Sequence, residues 1–76
     1  MPKLKVLSGR SIEKMLQRFG FETTDIRGSH LHMKCGPVAI TVPLHKEVSK
    51  GLLKDMFKDL GQVIPEHNLR EMFYTK

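Results

Sequence analysis

Two glycine-led turn signals limit what this chain can fold into more than any other feature. Gly28-Ser29 and Gly36-Pro37 bracket the hexapeptide HLHMKC, residues 30–35. Pairs of this kind punctuate extended segments. Between them the hexapeptide alternates, sending Leu31, Met33 and Cys35 to one face and His30, His32 and Lys34 to the other. The preceding stretch FETTDIR, residues 21–27, is rich in β-branched and aromatic residues and reads as a strand with imperfect alternation. The following stretch VAITV, residues 38–42, is a short buried-type strand stopped by Pro43. Three short strands joined by tight turns predict one antiparallel sheet.

A helix is predicted on either side. In SGRSIEKMLQRFG, residues 8–20, Ser8 is a natural N-cap and Gly20 a natural stop. Ile12, Met15, Leu16 and Phe19 make one apolar face, and Arg10, Lys14 and Arg18 a separate basic stripe. In KGLLKDMFKDL, residues 50–60, the apolar face is Leu52, Leu53, Met56, Phe57 and Leu60, and Gly61 ends the run. Lys50, Lys54 and Lys58 form a second face, Asp55 and Asp59 a third. After the loop PLHKEVS, the sheet thus passes to a helix that again has one side for a core and one for an anion. PEHNLREMF, residues 65–73, opens with a helix-starting Pro-Glu pair and can dock Leu69, Met72 and Phe73; the tail YTK is expected to fray. Helices on one sheet face are the simplest packing, leaving the other face, or the groove where strand ends meet a helix, open to a partner.

Size and composition narrow the function. A chain of 76 residues buries only roughly 60% of its unfolded surface, so chemistry belongs on an exposed groove or edge rather than in a deep cavity. A single cysteine permits neither an internal disulfide nor a Cys/His zinc framework, and fits a reducing, cytoplasmic setting. No apolar run approaches the ~20 residues of a membrane span, and MPKLKVLSGR lacks a signal-peptide core. A net charge of +5, from 13 basic and 8 acidic residues, favours a polyanionic partner, either nucleic acid or an acidic protein. With one Tyr, four Phe and no Trp, base stacking is not the main mode of recognition.

The segment RGSHLHMKC concentrates the chemistry. Its Gly-Ser-His start looks like a cloning remnant, but it is internal and patterned on both sides. His30 and His32 share a strand face at an offset that suits a metal, yet no Cys, Asp or Glu stands in the same turn as a third ligand. A histidine can act as base or acid near neutral pH, and a glycine bend lets backbone approach a phosphate closely.

Three stretches in this order, LSGRSIEKMLQRFGFE (7–22), RGSH (27–30) and TVPLHKEVSKGLLKDMFKDLG (41–61), resemble the HicA family of bacterial and archaeal toxins. The pieces are short; their order and spacing carry the resemblance, which runs nearly the whole chain up to Gly61. It implies an α+β fold like the double-stranded RNA-binding domain, α-β-β-β-α, here with a short extra C-terminal helix. That would be one domain over residues 1–76, with a core at about 4–61 and a helical extension at 62–76. It also implies a toxin that cuts mRNA without the ribosome and is restrained by a HicB-type antitoxin. The family's catalytic histidine is that of Gly-Ser-His, here His30, and its glycine is Gly28. This chain departs in having Leu31 where many members carry a second histidine, and a shorter turn at Cys35-Gly36-Pro37.

RNA brings its own nucleophile, the 2′-hydroxyl, so a base, a proton for the leaving 5′-oxygen and positive charge suffice, with no metal or other cofactor. The expected assignments are His30 as the catalytic residue and Gly28, Ser29, His32, His45, Lys50 and Lys54 as RNA contacts. His45 is also a candidate second proton-transfer group, and Lys50 gains potential from the helix start beside it. The alternatives are a non-catalytic RNA-binding module of the same fold and a basic domain built to receive an acidic partner.

Overall fold

Gly28 and Gly36 adopt φ of +59° and +58° in the computed structural model, which describes residues 3–75. Each opens a two-residue turn, the glycine-first arrangement whose twist matches that of the flanking strands. The turns join β1 (Glu22–Arg27), β2 (His30–Cys35) and β3 (Val38–Pro43) into an antiparallel sheet of order β1-β2-β3. α1 (Gly9–Gln17) precedes the sheet; α2 (Lys50–Leu60) and α3 (Glu66–Phe73) follow it. The architecture is the expected α-β-β-β-α with an added C-terminal helix. No helix of the described residues is long and apolar enough to cross a membrane.

The imperfect alternation of FETTDIR has a structural cause. The pairing of β1 with β2 shifts between Thr23 and Asp25, so Thr24 is an extra residue in the ladder. On β2 the alternation is regular: Leu31 and Met33 are buried, while His30 and Lys34 are exposed. Leu31 and Met33, with Val38, Ile40 and Val42 of β3, form the sheet's share of the core. The helices complete it with Ile12 and Leu16 of α1, Leu53, Met56 and Leu60 of α2, and Leu69 and Phe73 of α3. Ser8 and Ser49 cap α1 and α2, their hydroxyls accepting from the Ser11 and Leu52 amides.

Two expectations are corrected. Leu52 is 40% exposed instead of joining the apolar face. At about 100° per residue it falls at the rim of the arc through Met56, Leu60 and Leu53. The tail does not fray at Tyr74 and Thr75. Leu4 and Tyr74 form an antiparallel bridge, the Thr75 amide donates to the Lys3 carbonyl at 2.7 Å, and the Lys5 amide donates to that of Phe73 at 2.7 Å. Lys76 lies outside the described residues.

One polar contact ties α1 to β1. The Thr23 hydroxyl donates to Glu13 Oε2 at 2.6 Å, and Arg10 Nη1 donates to Oε1 at 3.0 Å. The Thr23 bond above all, and then Arg10, hold the Glu13 carboxyl below its ordinary value against the opposing effect of burial. A lowered folded pKa stabilises the fold above the ordinary glutamate value, and the benefit is lost as pH falls through the lowered one. Thr23→Val is therefore expected to cost about 1 kcal/mol at neutral pH, roughly 4–8 °C in melting temperature. The gap between the two proteins should close in acid melts below the usual carboxylate range; a gap that is constant with pH would rule out the carboxylate as its source.

Candidate nucleic-acid interface

His30 is the first residue of β2, so its side chain stands at one end of the sheet. The register sets it opposite Arg27 of β1 and Pro43 of β3, and sets His32 opposite Asp25 and Thr41. Directly opposed residues share a face. Arg27, Asp25 and Thr41 therefore join His30, His32 and Lys34 on the side turned away from the helices. His30, Gly28, Ser29 and Arg27 are exposed, and His32 is half-buried with Nδ1 3.2 Å from Thr41 Oγ1. Asp25 Oδ2 accepts from Arg27 Nε at 3.0 Å, which steadies the guanidinium on this face. A shallow hollow of about 430 Å³ on this face has Asp25, Arg27, His32, Lys34 and Thr41 among its walls.

A seam of backbone bonds gathers further elements at the same end. The Leu44 amide donates to the Ser29 carbonyl at 2.7 Å, which ties the β1–β2 turn to the segment after β3. The Gly9 amide donates to the His45 carbonyl at 3.0 Å, and the Val48 amide to that of Leu7 at 2.8 Å. Both capped helix starts, at Ser8 and Ser49, thus emerge beside the loop that carries His45. Each helix start carries partial positive charge. The closeness depends on Gly9: a Cβ there would run into the Pro43 carbonyl oxygen and lie 3.0 Å from Leu44 Cα.

The residues expected to contact RNA fall into two groups. Gly28, Ser29, His30 and His32 cluster at the turn and on the open sheet face, with exposed His45 across the seam. Lys50 and Lys54 line a different groove, against the chain ends. Neither lysine is engaged by Asp55 or Asp59: the ion pairs among the described residues are Arg10–Glu13, Arg27–Asp25 and Arg70–Glu66. Among those residues no group of three His, Cys, Asp or Glu side chains is placed to hold a metal ion. Sequence reasoning missed Arg27. The signal was present, because a two-residue turn puts the residues on either side of it opposite each other.

The family model for the HicA toxin of bacterial toxin–antitoxin systems matches residues 9–62 of the chain. No curated protein and no solved structure matches it.

Proposed function

The chain belongs to the HicA toxin family of bacterial toxin–antitoxin systems, and from that premise we propose that it is a metal-independent endoribonuclease acting on mRNA through His30. The observation that carries the reading is the placement of His30, solvent-exposed beside the Gly28-Ser29 turn and opposite Arg27. His30 takes the proton of a 2′-hydroxyl, whose oxygen attacks the adjacent phosphorus. The bond to the 5′-oxygen breaks, that oxygen takes a proton from water, the hydroxide so formed takes back the proton held by His30, and a 2′,3′-cyclic phosphate remains. Arg27 meets the negative charge that builds up on the phosphoryl oxygens, as a preorganised cation should. Gly28 has nothing within 4 Å of its missing Cβ, so the turn leaves open space for a sugar-phosphate chain. Ser29, His32 and His45 are contacts for that chain.

The same exposure explains how such a protein is restrained. None of the described residues covers His30, so inhibition needs only a partner that occludes it. A HicB-type antitoxin with an acidic face would suit the +5 charge and exclude RNA from the same surface.

Incubation of purified protein with RNA in excess EDTA tests the reading. The expected products carry cyclic phosphate and 5′-hydroxyl ends, and an RNA with 2′-deoxy residues throughout should resist. Salt-sensitive binding without products after long incubation would establish the non-catalytic RNA-binding module instead.

A further inference from the structure

β1 lies at the edge of the sheet, and among the described residues it is paired to β2 alone. Such an edge presents a row of free N–H and C=O groups that another strand can take up. Thr23 is half-buried and the other residues of β1 are exposed. Ile26 carries apolar surface here: it is 45% exposed, on the face that elsewhere makes the core. Charges commonly blunt an edge against pairing. The charges of β1 have an order that does the opposite.

That order, Glu-Thr-Thr-Asp-Ile-Arg, is complementary to its own reverse. Let β1 lie antiparallel on the β1 of a second copy, with the Thr24-Asp25 step on a two-fold axis. Glu22 then falls opposite Arg27, Thr23 opposite Ile26 and Thr24 opposite Asp25, each pairing occurring twice. Opposite charges that face each other across strands attract, and like charges repel. The irregularity in β1 makes this register possible. In a regular strand Glu22 and Arg27 would stand on opposite faces, because side chains alternate. The shift between Thr23 and Asp25 changes that parity. Glu22 opposes Lys34 and Arg27 opposes His30, so both stand on the open face; Thr23 opposes Met33 and Ile26 opposes Leu31, so both stand on the core face. Thr24 and Asp25 both line the open-face hollow. Every directly opposed pair in the register thus shares a face, as sheet pairing requires. A slip of one residue either way sets Asp25 against itself or Glu22 against Ile26. β3, the other edge, has no charged residue and ends in Pro43, so no charge in it specifies a register.

We propose that β1 pairs with β1 of a second copy of this chain, joining two three-stranded sheets into one across a two-fold axis. Thr23 of the second copy covers Ile26, and the Glu22–Arg27 pairs set the register. Both open faces, each with its His30, then stand on the same side of the joined sheet. The interface is small, so association is weak and depends on concentration. The inference goes beyond RNA cleavage and stands or falls apart from it.

Sedimentation equilibrium up to millimolar concentration tests the pairing, on wild-type protein and on the Glu22→Arg and Arg27→Glu variants. Each variant sets like charges opposite each other at both ends of its own interface, and should self-associate about tenfold more weakly than wild type. An equimolar mixture of the two variants restores opposite charges at both ends and should form a mixed dimer as strong as the wild-type one. A strand that had merely been damaged would not be rescued by mixing. Melting curves confirm that each variant is folded; both substituted side chains are exposed. In the unmodified protein, amide exchange along β1 should slow as concentration rises. Wild-type protein that stays monomeric at every concentration overturns the proposal and leaves the edge to a different protein. A dimer of unchanged strength in both variants, or no recovery in their mixture, places the contact on another surface and equally overturns it.

Discussion

Exchanging His30 for alanine is expected to slow RNA cleavage about 10²–10⁴-fold, the usual worth of a positioned proton-transfer group. The fold should hardly notice. His30 is exposed and is not part of the core, and its backbone pairing with Arg27 and Pro43 survives truncation of the side chain. Exposed substitutions of this kind usually stay within about 0.5 kcal/mol. RNA affinity should also persist, because binding of a polyanion is dominated by phosphate contacts to cations, which the variant keeps. Single-turnover cleavage, a melting curve and a binding isotherm on the same preparation separate these quantities. In cells, induced expression of wild-type protein should arrest growth and the variant should not. Undiminished cleavage by the variant would remove His30 from the chemistry. A large drop in melting temperature would make it a structural residue wrongly cast as a base.

Much of what places His30 was legible in the residues. The two glycine-led turns and the HLHMKC alternation point to one antiparallel three-stranded sheet and to a shared face for His30 and His32. Both helices lie where their apolar periodicity put them, since a 3.6-residue pattern is local information. What the sequence hid depends on contacts between distant parts of the chain. The clasp of the two chain ends joins residues more than 60 positions apart, through the Lys5 Nζ–Glu71 carbonyl bond and the Lys3–Thr75 pairing, and YTK has no pattern that announces a partner. The role of Thr23 as donor to Glu13 joins a strand to a helix face and leaves no periodic trace. Ile26 shows the limit from the other side. Its register opposite buried Leu31 puts it on the core face, yet it is 45% exposed, because β1 is an edge strand and that part of it is uncovered. The predicted lysine face of α2 was likewise right in its spacing but said nothing about which groove the lysines would enter.

Gly9→Ala is the substitution expected to cost the most stability. The added methyl meets the Pro43 carbonyl oxygen and Leu44 Cα, both backbone atoms, so no side chain can swing aside to make room. Relief would require α1 to lift from the end of β3, stretching the Gly9–His45 and Val48–Leu7 bonds and opening the seam beside His30. Overpacking typically costs about 1–3 kcal/mol, and a backbone-against-backbone clash belongs at the upper end or beyond. A loss of about 3 kcal/mol is a large share of the roughly 4–11 kcal/mol that a domain of this length can hold. It corresponds to a drop of about 12–24 °C in melting temperature. Gly51→Ala is the internal control: Gly51 sits in the first turn of α2 with open space around its missing Cβ, and alanine there should be neutral or stabilise by up to about 1 kcal/mol. The two variants make the same chemical change at the start of the two capped helices, so propensity cannot explain opposite outcomes, whereas the close approach of α1 to Pro43 can. Because the seam also positions His45 and the strand end that pairs with His30, whatever Gly9→Ala protein remains folded should cleave RNA less well than its folded fraction predicts. Matching melting curves for Gly9→Ala and wild type would mean that α1 does not press on the end of β3, and the geometry drawn around His30 would have to be redrawn with it.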